Sequence, residues 1–267
     1  FLVYESPVMA PELAAKYPGI RTYAGRSVED PTARVRFTIS HKGFDAQVRR
    51  EGPDAYIDRY SKNDDQIYTA YLKNDLVNPH EWSCQFDEHQ HGSPADLTNE
   101  EIETPDIQML APVTRKEYRL AVVANGEYTQ YHGGTVADGL AAVVTMVNRV
   151  TGIYEDDIAV KFNLVPNNDL LIYTNPATDG LSNNTNLLNQ VTTRCNQVIG
   201  SSNYDVGHGL ATGSGGVAYL GVICTSNKGG GTTGLPAPIG DPFYVDYVAH
   251  EMGHQFGATH TFNGDSG

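Results

Sequence analysis

His250-Glu251-Met252-Gly253-His254-Gln255-Phe256-Gly257-Ala258-Thr259-His260 is the stretch from which the rest of the chain is read. It lies in a segment, Val245 to Phe256, with the pattern of a helix. On such a helix His250 and His254 stand about 40° apart around the axis and roughly 6 Å apart along it, so both imidazoles reach one cation from one face. Glu251 follows the first of them, where a carboxylate approaches a water without ligating the metal, the position of a general base. Gly257 ends the helix in a backbone conformation that other residues adopt only with strain, and the turn brings His260 back toward the same ion. Three neutral nitrogen donors leave a fourth position open. That marks a catalytic rather than a structural zinc, and the chemistry expected is hydrolysis of an amide.

The 267 residues around this stretch carry 18 Lys plus Arg against 32 Asp plus Glu, a formal charge of −14. No basic surface is left to neutralise phosphates, so nucleic acid is excluded as a partner. No run approaches the roughly 18 apolar residues that cross a bilayer, and no membrane span is expected. Phe1 opens the chain without a basic stretch or an apolar signal core, which reads as a processed, secreted protein of the extracellular space. Cys84, Cys195 and Cys224 lack the C-x-x-C spacing of a structural zinc or redox site. One disulfide bond is expected, Cys195 with Cys224, the alternative being that Cys224 pairs beyond Gly267; Cys84 is the thiol left over.

Charge texture divides the chain in two. Residues 1–116 hold 13 Lys or Arg and 19 Asp or Glu, whereas residues 117–267 hold 5 and 13. In the first half, alternation predicts strands over Ala33–Ile39, Phe44–Arg49, Asp54–Tyr60 and Ile67–Leu72. Asp87 to Asp106 is acidic and nearly free of apolar residues and reads as linker. The second half opens with a buried strand, Tyr118–Ala124. A helix follows, capped by Thr135 and stopped by Gly152, and then a strand over Ile158–Leu164 that the crossover makes parallel to the first. Asn184–Ile199 reads as a helix, Tyr204–Leu210 and Gly216–Cys224 as strands, and Gly229–Gly234 as loop. His208 reads as a packed strand histidine, and His89 and His91 in the polar linker are not taken as a metal cluster.

H-E-x-G-H-x-x-G-x-x-H is the zinc signature that this chain shares with the metzincin metallopeptidases. With Gly240-Asp241-Pro242-Phe243 upstream and His260-Thr261-Phe262-Asn263 at its end, the region resembles the reprolysin-like (adamalysin-related) branch in bacterial form. The resemblance covers roughly residues 117–267. It implies a fold of the α+β or α/β class, the metzincin (zincin-like) upper subdomain, with a twisted mixed sheet and the active-site helix beneath. A β-rich propeptide over 1–86 and an acidic linker over 87–116 would precede the catalytic domain over 117–267. It implies a secreted zymogen of a zinc-dependent endopeptidase, with one Zn2+ on His250, His254 and His260 and Glu251 as general base. Gly216, Val217, Ala218, Tyr219 and Leu220 are similar to the edge strand that holds the peptide substrate, and Cys84 is the candidate fourth zinc ligand of the latent form. Calcium is a further cofactor of related proteins, with no ligand set that can be placed here. The sequence stops before the methionine turn of that family, so either the chain is a piece of a longer one or it is nicked after Gly267, with Asn263–Gly267 a natural place for nicking, and a C-terminal companion fragment completes the site. The alternatives are a non-catalytic zinc-binding or adhesion module and an inactive autolysis fragment.

Overall fold

In the first half, neighbouring stretches pair in sequence order into one antiparallel meander. A computed structural model describes residues 1–61, 64–76, 83–84 and 113–260. The meander consists of β1 (Leu2–Glu5) and, after helix α1 (Pro11–Lys16), β2 (Arg21–Arg26), β3 (Arg34–Ser40), β4 (Gly43–Arg49), β5 (Ala55–Ser61) and β6 (Asp64–Leu72). The four strands expected from alternation are β3 to β6. β1 and β2 lack that signal, because every residue of β1 is exposed and β2 buries only small and polar residues and lies between arginines. In β3 the polar face is the one turned inward: Arg36 and Thr38 are buried, whereas Ile39 on the opposite face is exposed.

The second half comprises β7 (Lys116–Ala124), α2 (Gly126–His132), α3 (Val136–Ile158), β8 (Val160–Leu164), α4 (Leu188–Val198), β9 (Val206–Ala211), β10 (Gly215–Ala218), β11 (Gly231–Gly234) and α5 (His250–Gln255). Its mixed sheet has the order β10-β11-β9-β7-β8, all neighbours parallel except β10 with β11. Thr135 caps α3, its hydroxyl accepting from the Asp138 amide at 3.1 Å. Gly152 does not stop that helix. It makes room for the first half, since a Cβ there would lie 2.9 Å from Arg36 Cδ, and the helix continues to a left-handed stop at Ala159, φ 56°. Gly229–Gly234 is not all loop, for β11 lies inside the sheet, and its glycines let Gln255 and the Gly213 carbonyl approach the backbone. The strand expected to reach Cys224 stops at Ala218, and Leu220 falls in the turn beyond it. Pro242–Ala249 winds as a wide π-helix that runs directly into α5.

α3 lies between the two sheets, packing on β3 on one side and β8 on the other. By length and composition it could cross a bilayer, yet most of it is buried within the fold. Val8, Leu13 and Ile20 of the first half join Leu140, Val144 and Phe162 in one core, while Val123, Leu187 and Val191 form a second core under α4. The halves also meet through ion pairs and hydrogen bonds. Lys16 pairs with Asp169 at 3.0 Å, Lys42 with Asp138 at 3.2 Å, Arg49 with Asp156 at 3.1 Å and Lys73 with Asp246 at 2.7 Å. Arg36 is bonded to Glu155 and, at 3.2 Å, to Asn148. The first half also touches both edges of the mixed sheet: Met9 bridges Leu164 on β8, and Cys84 bridges Gly216 on β10. Of the linker expected over 87–116, residues 87–112, with Asp87, His89 and His91, lie outside the described residues, as does the tail Asn263–Gly267, and Lys116 belongs to β7.

Candidate metal centre

α5 presents His250 and His254 on one face because four residues make slightly more than one helical turn. His250 Nε2 and His254 Nε2 are 3.1 Å apart. After the helix, Gly257 takes φ 99° and its amide donates to the His254 carbonyl at 2.8 Å, while the Ala258 amide donates to that of Gly253 at 2.9 Å. This turn carries His260 back until its Nε2 lies 3.2 Å from that of His250. Cys84 Sγ approaches from the first half, 3.5 Å from His254 Nε2. All four donor atoms lie within 4.8 Å of one another.

These spacings fit a zinc ion. Zn–N bonds near 2.05 Å and a Zn–S bond near 2.3 Å in a tetrahedron put nitrogens about 3.3 Å apart and nitrogen about 3.6 Å from sulfur. The protonation pattern fits as well. His254 Nδ1 is 2.7 Å from the Ala258 carbonyl, to which only an N–H can be offered, so Nε2 carries the lone pair toward the cluster. Burial, then the charges of His254 and His260, pushes His250 down to about 4, which keeps it in the neutral, ligating form.

Glu251 is fully buried, and its carboxylate lies against the Cys84 thiol. Burial raises its carboxyl to about 8, opposed by the nearby Cys84 thiol. A buried carboxyl whose near neighbour is the thiol of a donor cluster is what a site arranged for proton transfer contains. The Tyr154 hydroxyl donates to the Ala249 carbonyl at 2.8 Å, steadying the join between the π-helix and α5.

β10, which contains Gly216, Val217 and Ala218, is an edge strand of the mixed sheet and packs against α5. Tyr219 continues past it, its amide donating to the Gly230 carbonyl at 2.8 Å, and Leu220 lies outside the strand. Cys84 is held in parallel pairing with Gly216, whose amide donates to the Ser83 carbonyl at 3.1 Å. The expected disulfide is not formed. Cys195 is buried on α4 against Gly207, and Cys224 is exposed in a left-handed turn, φ 60°, so the two are not bonded to each other. Gln255 and His208 brace α5 against the sheet. Neither has a metal-ligand spacing, and only the tertiary contact reveals them.

A donor set of this kind on a helix that ends at glycine defines a zinc metallopeptidase. Residues 114–267 match the model of metallo-peptidase family M12B, reprolysin-like, and the chain belongs to that family. No curated protein matches the chain.

Proposed function

We propose that this chain is the latent form of a secreted zinc endopeptidase in which the first half acts as propeptide. The observation that carries this reading is the convergence of three imidazoles and the Cys84 thiol on one point, with Cys84 seated on the adjacent sheet edge. His250, His254 and His260 are the protein ligands, and Cys84, as thiolate, is the fourth in the latent state. A zinc ion bound there supplies Lewis acidity, lowering the pKa of a coordinated water toward 7 and polarising the carbonyl to be cleaved.

Glu251 takes the proton of the attacking water and later delivers it to the leaving amine. β10 offers its outer backbone groups to an extended peptide, which binds by strand addition. Ser83 and Cys84 occupy that edge at Gly216 in the latent form, a contact that loosens once the thiol no longer anchors the segment at the metal, so that a substrate strand competes for the edge.

The test uses the full chain. Metal analysis is expected to find one zinc per molecule, and a Cys84→Ala variant is expected to hydrolyse an unfolded protein in a chelator-sensitive way. Adding Glu251→Gln should leave the zinc in place and lower turnover roughly 10²- to 10⁴-fold. Absence of zinc overturns the reading, and undiminished hydrolysis in the double variant overturns the role of Glu251.

A further inference from the structure

We propose that His208 is a positioning residue of the metal centre: by gripping the side chain of Gln255 it sets the rotation of α5 and therefore the aim of the His250 and His254 rings. This rests on the zinc-peptidase reading above. His208 lies within β9, fully buried. Its Nδ1 is 2.9 Å from Gln255 Oε1, and its Nε2 is 3.0 Å from Thr233 Oγ1 on β11. Gln255 Nε2 donates to the Gly207 carbonyl at 2.8 Å. With the amide nitrogen used there, Oε1 is left to accept, so His208 carries its proton on Nδ1 and accepts the Thr233 hydroxyl at Nε2. One tautomer satisfies every atom in the chain of contacts.

Gln255 directly follows the ligand His254. The same turn of α5 is tied through its main chain, the His254 carbonyl accepting from the Gly221 amide and the Gln255 carbonyl from the Val222 amide, each at 2.9 Å. The turn is therefore pinned by its main chain to the loop after β10 and by the Gln255 side chain to β9. Gly231 keeps the space open, for a Cβ there would lie 2.8 Å from His208 Nδ1 and would collide with the Gln255 amide. The geometry makes small rotations matter. With a helix roughly 10–12 Å across, a turn of roughly 20° carries a side-chain tip roughly 2 Å, whereas metal–ligand distances hold to about 0.2 Å.

The experiment compares zinc affinity by chelator competition, and the visible spectrum of the cobalt-substituted protein, for the full chain and two variants. His208→Asn places an amide nitrogen near the position of Nδ1 and can still donate to Gln255. His208→Gln projects its amide toward Thr233 and cannot. His208→Asn is expected to stay within roughly threefold of the parent affinity with its cobalt bands unmoved, and His208→Gln to lose roughly 10- to 100-fold with shifted bands. Should His208→Gln not fold, Gln255→Met removes the same contact from the helix side and is expected to lose as much. Equal affinities throughout, or equal damage in the Asn and Gln variants, overturn the proposal. Failure of the parent chain to bind zinc instead overturns the function proposed above.

Discussion

Cys84 Sγ and His254 Nε2 lie 3.5 Å apart although 170 residues separate them in sequence. Backbone pairing of Cys84 with Gly216 fixes the approach, so the thiol is delivered by the edge of the sheet and not by a side chain that happens to reach.

Cys84→Ala should therefore activate the intact chain. Peptide hydrolysis is expected to rise roughly tenfold or more over the parent, because a position near the cluster is opened to water and substrate. Zinc content should stay the same. Unchanged hydrolysis would mean that coverage of β10 alone keeps the chain silent.

Gly257 and Gly253 should respond in opposite ways to alanine. Gly257→Ala meets no atom nearer than the Gly221 Cα at 3.8 Å, so its cost is conformational, at φ 99°; a loss of about 1–2 kcal/mol is expected in denaturant melts, together with weaker zinc binding as the turn to His260 relaxes. Gly253 sits in regular helix with 3.7 Å to its nearest neighbour. Gly253→Ala should stabilise by about 0.5–1 kcal/mol.

His208 should make the metal-free fold acid-sensitive. Burial lowers its imidazole from 6.5 to about 4, so the folded state binds this proton less readily than the unfolded one. The contribution is whole above pH 6.5, erodes as the pH falls below that value and is fully lost near pH 4, amounting to about 3 kcal/mol at most. Denaturant midpoints measured with chelator across this window should fall more steeply in the parent than in His208→Asn.

Arg36 should carry more stability than a surface cation. Arg36→Ala leaves Glu155 and Asn148 short of a partner at the junction of the halves and is expected to cost about 2–3 kcal/mol. Arg21, in an exposed pair with Glu5, should give no measurable change. Equal thermal shifts for the two variants would contradict this view of the junction.

The spacing of His250, His254 and His260, the glycine between the last two and the carboxylate of Glu251 were legible in the amino-acid order, because a helix converts spacing into direction and one glycine suffices to end it. The crossover pair β7 and β8 and the meander strands β3 to β6 were legible for the same reason, since their periods belong to the chain itself. Three features were decided by tertiary contact. β11 is stabilised by close backbone approach at its glycines, which leaves no side-chain period to read. Gly152 lies inside α3 and gives Arg36 the space a side chain would take, so its role is packing and not a helix stop. Cys195 and Cys224 stay apart because one is packed under the sheet and the other sits in an exposed turn. The grip of His208 on Gln255 is of this kind too, for a hydrogen bond between β9 and α5 depends on how elements stack, and no local pattern records that.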